Sequence, residues 1–91
     1  MQSSTSISTP EARRIAKRLL NHWKHKFEVA ESEQDYKIFM PNATVTLTPL
    51  EQHLDVLISS ENAEDIRLEG VVLDHLNRMA QQEFQADWTR Q

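Results

Sequence analysis

The segment Tyr36-Lys37-Ile38-Phe39-Met40-Pro41-Asn42-Ala43-Thr44-Val45-Thr46-Leu47-Thr48-Pro49 decides the fold class of this chain. Tyr36, Ile38 and Met40 alternate with Lys37 and Phe39, then Ala43, Val45 and Leu47 alternate with Thr44, Thr46 and Thr48. A period of two puts successive side chains on opposite sheet faces, and β-branched threonines suit the outer one. Pro41-Asn42 between the two runs reads as a tight turn: proline presets its own φ, and asparagine tolerates the left-handed region. The reading is an antiparallel hairpin, and it extends both ways. Upstream, Phe27 and Val29 alternate with Lys26 and Glu28, with Glu31-Ser32-Glu33-Gln34 as a polar turn. Downstream of Pro49, Leu54, Val56 and Ile58 alternate with His53, Asp55, Leu57 and Ser59. Connections this short predict a four-stranded antiparallel meander.

Helices flank it. Ala12, Ile15, Ala16, Leu19, Leu20 and Trp23 recur every three or four residues and so share one helical face. Thr9 is placed to cap this helix, with Pro10 and Glu11 suited to its first turn and its end near Lys24 or His25. The second helix is expected over Ala63 to Phe84, capped by Ser60 or Asn62, with Glu64 and Asp65 in its first turn. Its apolar arc is Ile66, Leu68, Val72, Leu73, Leu76, Met79 and Ala80, and Trp88 beyond it is expected to fold back as an anchor. Gly70, the only glycine, borders that arc, where close packing against a neighbour would compensate its helix cost. One apolar stripe per helix and one apolar sheet face predict an α+β fold with both helices on the same face. Residues 1–9 read as a flexible polar N-terminus and residues 10–91 as a single α+β domain. Trp23, Leu19, Ile58, Val72 and Leu76 are expected in the core.

The whole chain has 91 residues and no cysteine, which excludes a disulfide framework and thiolate chemistry. No apolar run approaches a membrane span, and the Ser- and Thr-rich start lacks the pattern of a signal peptide; a cytoplasmic protein without a membrane partner is expected. The net charge of −4 is unevenly spread, with six basic residues and one acid between Glu11 and Lys26. Such a basic helix could dock on a polyanion, but the acidic balance and core-spaced aromatics argue against nucleic acid. No phosphate-cradling glycine loop or nucleophile motif is present, and no cofactor is expected.

Three blocks carry a family resemblance: Asn21-His22-Trp23-Lys24-His25-Lys26-Phe27-Glu28-Val29; the turn after Phe39-Met40-Pro41; and Leu68-Glu69-Gly70-Val71-Val72 through His75-Leu76-Asn77-Arg78-Met79-Ala80 to Gln82-Glu83. In this order they resemble the family called domain of unknown function 2218 (DUF2218), small bacterial proteins of about this length. Asn42 and Met79 stand where the family usually carries a glycine and an aromatic residue. The resemblance implies an association with iron and siderophore metabolism, through neighbouring or fused flavin reductases, and supplies no catalytic residue.

The residues themselves offer two candidate sites. The first is a polar cluster of His22, His25, Lys26, Glu69, His75 and Arg78. His22 and His25 share a helical face, so they could chelate a metal with Glu69, His75 or Glu83. No metal is expected, because a two-histidine spacing fixes neither a third ligand nor its orientation. Glu69 projects into the apolar arc, where an unpaired carboxylate is costly, and so demands a donor. The nearest supply in the sequence is His22 to Lys26, or His75 on its own helix, and the pair would fix helix register. The second site is the open sheet face, where Phe39 and Leu57 are the apolar exceptions beside Thr44, Thr46 and Thr48; a protein partner or a second copy of the chain is its expected occupant. The favoured function is a non-catalytic binding or accessory module, and the alternative is a small metal-binding protein or enzyme using His22, His25, Glu69 and His75.

Overall fold

The computed structural model describes residues 2–61 and 67–91. The chain forms β1 (Gln2–Ser8), α1 (Ala12–Trp23), β2 (Glu28–Glu31), β3 (Tyr36–Met40), β4 (Ala43–Pro49), β5 (His53–Ser60), α2 (Arg67–Ala80) and β6 (Thr89–Arg90). The strands make one antiparallel sheet in the order β2-β3-β4-β5-β1-β6.

The expected meander is there as β2 to β5, but it is not the whole sheet. Six strands replace four because both ends of the chain pair. The segment read as a flexible N-terminus is β1, matched to β5 along its full length from Gln2↔Ser59 to Ser8↔His53. Its inward residues, Ser3, Thr5 and Ile7, are all buried. Two of the three are hydroxyl-bearing, so the period of two was hidden under a polar composition. The chain's ends then meet, Gln2 and Gln91 exchanging backbone bonds of 3.1 and 2.8 Å beyond the β1–β6 pairs.

Inward residues continue from strand to strand. Ile38, Val45, Ile58 and Ser3 lie in one register row that ends on Arg90. Against this face α1 packs across β3, β4 and β5 and against α2. Its buried side chains are Ala12, Ile15, Ala16, Leu19, Leu20 and Trp23, the stripe expected from spacing. Val72 and Leu76 of α2 and Ile58 of β5 are buried in the same cluster, with Phe84 closing it and Trp88 packed at its margin.

The helix ends are explained locally. The Thr9 hydroxyl accepts the Glu11 N–H at 3.1 Å, but Thr9 is not the cap expected: regular helix starts at Ala12, so Glu11 holds the cap position and makes no capping side-chain bond. The expected caps and acidic turn at Asn62, Glu64 and Asp65 lie outside the described residues. α2 stops at Ala80, not Phe84, because Gln81 adopts φ 58°. Gln81 N–H then reaches the Arg78 carbonyl at 3.3 Å and Gln82 N–H the Asn77 carbonyl at 3.2 Å, the paired bonds of a Schellman ending. The Asn77 side chain accepts the Phe84 N–H at 3.0 Å and turns the chain toward β6. Gly70 does not fulfil the expectation of close packing: a Cβ there would meet nothing within 4 Å among the described residues.

Candidate functional site

The polar cluster expected between the helices is only partly assembled. Glu69 is buried, as its helical phase requires, but its donor is none of the residues expected. Arg90 Nε donates to Oε2 at 2.9 Å and Arg90 Nη2 to Oε1 at 2.6 Å. The reason is topological. β6 adds beside β1, inward and outward side chains alternate along it, and Arg90 falls on the helix-bearing face. The Arg90 bonds hold the Glu69 carboxyl below its usual pKa against the opposing effect of burial. The Ser3 hydroxyl faces the same carboxylate and lowers it slightly further, although its geometry falls short of a well-formed hydrogen bond. With both oxygens held by one guanidinium, this carboxylate is a structural anion and not a poised base.

The remaining members scatter. His22 and His75 do approach, with ring centroids 5.5 Å apart, and His75 also lies 4.9 Å from the Trp23 ring. His75 Nδ1 sits 2.8 Å from the Val71 carbonyl, so that nitrogen carries the proton and donates. Arg78 pairs with Asp74 at 3.3 Å on the surface of α2, and Lys26 lies over the Phe27 ring. His25 is exposed beyond the end of α1. Among the described residues no three His, Asp or Glu side chains are grouped to hold a metal ion.

The basic face of α1 is engaged within the chain. Arg13 donates to the Tyr36 hydroxyl and the Glu33 carbonyl, Arg14 pairs with Glu11, Lys17 with Glu31, and Arg18 donates to the Met79 carbonyl. Apart from the partly buried Arg13–Tyr36 bond these contacts are exposed and individually weak, yet they direct four cations toward the chain's own acceptors.

The other sheet face is where space opens. Register places Lys37, Thr46, Leu57, Ser4 and Thr89 in one row across five strands, and Thr48, Asp55 and Ser6 in the next. A groove of about 520 Å³ lies over these two rows. Asp87 forms its far wall, at the point where the chain enters β6. Phe39 is 38% exposed at the β3 end of the same face, with Thr44 opposite it, while Leu57 is half-buried on the groove floor. Of the residues expected on this face, Thr46, Thr48 and Leu57 line the groove; Phe39 and Thr44 border a smaller pocket at the Pro41-Asn42 turn. Ser4, Ser6, Asp87 and Thr89 were not foreseen, because they come from the two unforeseen strands and their approach.

No described helix is long and apolar enough to cross a membrane. No curated protein matches the chain. The NMR structure of PA4090 from Pseudomonas aeruginosa is similar over 97% of this chain and 94% of that one, with 30% sequence identity and a TM-score of 0.81. The DUF2218 family, described as an uncharacterized protein conserved in bacteria, matches residues 4–89. With both the family match and the fold likeness running nearly end to end, the chain belongs to the DUF2218 family.

Proposed function

We propose that this protein is a non-catalytic binding module and that the open face of its sheet is the binding surface. The observation that carries this reading is the groove of about 520 Å³ on that face. Its size falls within the range of small-ligand and peptide sites, and its lining joins an apolar floor at Leu57 to hydroxyls and two carboxylates. α1 packs across β3, β4 and β5 on the opposite face, away from the groove. Phe39 extends the apolar contact toward β3.

The alternative, a metal site or enzyme at His22, His25, Glu69 and His75, has the approach of His22 to His75 in its favour. Against it, Glu69 is fully engaged by Arg90, and His25 and Lys26 lie apart from it. The iron and siderophore association implied by the family resemblance finds no protein donor set of three among the described residues.

Amide chemical-shift mapping against a fragment library tests the reading. Hits should move Ser4, Thr46, Thr48 and Leu57, and Leu57→Arg should remove them without changing the melting temperature. Hits gathered at His22, Trp23 and His75 instead would favour the alternative.

A further inference from the structure

We infer that the uncovered half of the β1 edge is a strand-addition site for an extended peptide carrying basic side chains at alternate positions. The inference rests on the binding-face reading and names the partner of that face.

β1 has seven residues, but β6 pairs only with Ser3 and Ser4. From Thr5 to Ser8, β1 therefore pairs on one side alone among the described residues, with β5. Which main-chain groups are free follows from antiparallel geometry. Gln2 exchanges both of its backbone bonds with Gln91, so residues two and four further along the strand present their N–H and C=O groups to that same side. Ser4 is in the β6 pairing; Ser6 and Ser8 come next and meet no strand among the described residues. Groups of this kind pair readily with an incoming extended chain.

Edges left open in folded proteins are usually guarded by charge, proline, a bulge or brevity. The opposite edge of this sheet is guarded, since β2 has only four residues and carries Glu28 and Glu31. The Thr5–Ser8 edge carries no such guard. Beside it lies the groove, lined by Ser6 on the strand and Asp87 on the departing chain.

Charge selects the occupant. A residue added opposite Ser6 would send its side chain to the open face, as directly paired residues do. Ser6 is small, and its partner on β5 is Asp55, so a lysine or arginine lying across Ser6 finds a carboxylate beyond it and Asp87 at its other flank. The groove lining includes no basic residue.

The test uses the full chain, ¹⁵N-labelled, with acetyl-Lys-Val-Lys-Val-Lys-amide as probe and its glutamate counterpart as control. The lysine peptide should slow amide exchange at Ser6 and Ser8 by about ten-fold or more, and the glutamate peptide should bind about ten-fold more weakly. Ser6→Pro removes an N–H that the β5 ladder does not use, so it should keep the fold and abolish protection at Ser8. If that variant fails to fold, Asp55→Asn tests the charge term and should weaken the lysine peptide alone. Shifts at Thr46 and Leu57 without slowed exchange at Ser6 and Ser8 overturn strand addition while sustaining the binding face. Protection that rises with protein concentration in the absence of peptide assigns the edge to a second copy and overturns the inference. No shift anywhere on the sheet face overturns both readings.

Discussion

Removing Arg90 should destabilise the protein more than removing Glu69, although the two form one ion pair. The asymmetry comes from where each side chain ends. Glu69 keeps 5% of its side-chain surface exposed, and Arg90 keeps 47%. In Glu69→Ala the guanidinium is released beside water and rehydrates, so the loss is confined to two charge-assisted hydrogen bonds. Such bonds contribute about 1.5–3 kcal/mol when sheltered, and discounting for the wet arginine leaves roughly 1–2 kcal/mol in all. In Arg90→Ala the carboxylate stays buried with only the Ser3 hydroxyl beside it, which is the costlier half-pair. The pH dependence follows. In the wild type the Glu69 pKa is lowered, so its contribution is complete above the ordinary value near 4.5 and is lost as pH falls through the lowered folded value. In Arg90→Ala burial outweighs the Ser3 hydroxyl that remains and raises that pKa, so the deficit is greatest at neutral pH and shrinks as the carboxyl is protonated toward pH 4. In Glu69→Ala the guanidinium stays charged throughout, so that deficit should not change between pH 6 and 8.5. Urea unfolding followed by tryptophan fluorescence at pH 7 and pH 4 measures all of this. The double variant should be more stable than Arg90→Ala alone at pH 7. Equal losses in the two single variants at pH 7, or an Arg90→Ala deficit undiminished at pH 4, would show that the Glu69 charge is not buried at a cost.

Three further substitutions read single features by the same unfolding assay. Gly70→Ala should stabilise by about 0.5–1 kcal/mol, since the added methyl meets nothing within 4 Å among the described residues and the helix gains propensity; a loss would reveal a close neighbour at that position. Gln81→Gly should gain about 0.5–1 kcal/mol by relieving the left-handed φ of 58° at the end of α2, and no gain would mean the strain is already compensated. Thr5→Val should be neutral or stabilising by up to about 1 kcal/mol, because the buried Thr5 hydroxyl has no partner among the described residues; a loss above that size would mean the hydroxyl is bonded.

The parts of this fold that could be read from the sequence are those whose signal is local. A stripe such as Ile15, Leu19 and Trp23 repeats within one helix, and Tyr36 through Leu47 alternate across one tight turn. Both patterns place residues on a face without any knowledge of what lies opposite. β1 fails this test because only Ile7 is apolar among its inward residues, and Ser3 and Thr5 look like tail. β6 fails it more completely, because Thr89 and Arg90 are a strand only by virtue of pairing with Ser3 and Ser4, some 86 positions away. A two-residue strand has no periodicity to detect. The groove inherits this difficulty. Its floor of Thr46, Thr48 and Leu57 was legible, whereas its β1 side and far wall come from the two ends of the chain.

Glu69 shows how far the physics of one residue reaches, and where it stops. Helical phase alone dictated that the carboxylate is buried, and the energy of an unpaired buried charge dictated that a donor must meet it. Both statements hold in the structure. The identity of the donor depended on topology. His22 to Lys26 were favoured because two helices on one small sheet must be neighbours, and α1 and α2 do pack together. The donor comes instead from the sixth strand, which brings Arg90 to Glu69. Arg90 is better suited to the task than a histidine. Its planar guanidinium engages both oxygens at once and does not titrate near neutrality. The consequence is structural. Arg90 ties β6 to α2, β6 covers only the first half of the β1 edge, and the second half is left open beside the groove. The buried ion pair and the exposed edge therefore have one origin, the short return of the C-terminus. A variant that loosens it should change the edge as well as the stability: in Arg90→Ala, the β6-side amides of β1, Ser4 first, should exchange faster while those of β4 keep their protection. Uniform loss of protection across the sheet would show instead that Arg90 supports the whole fold and not this edge.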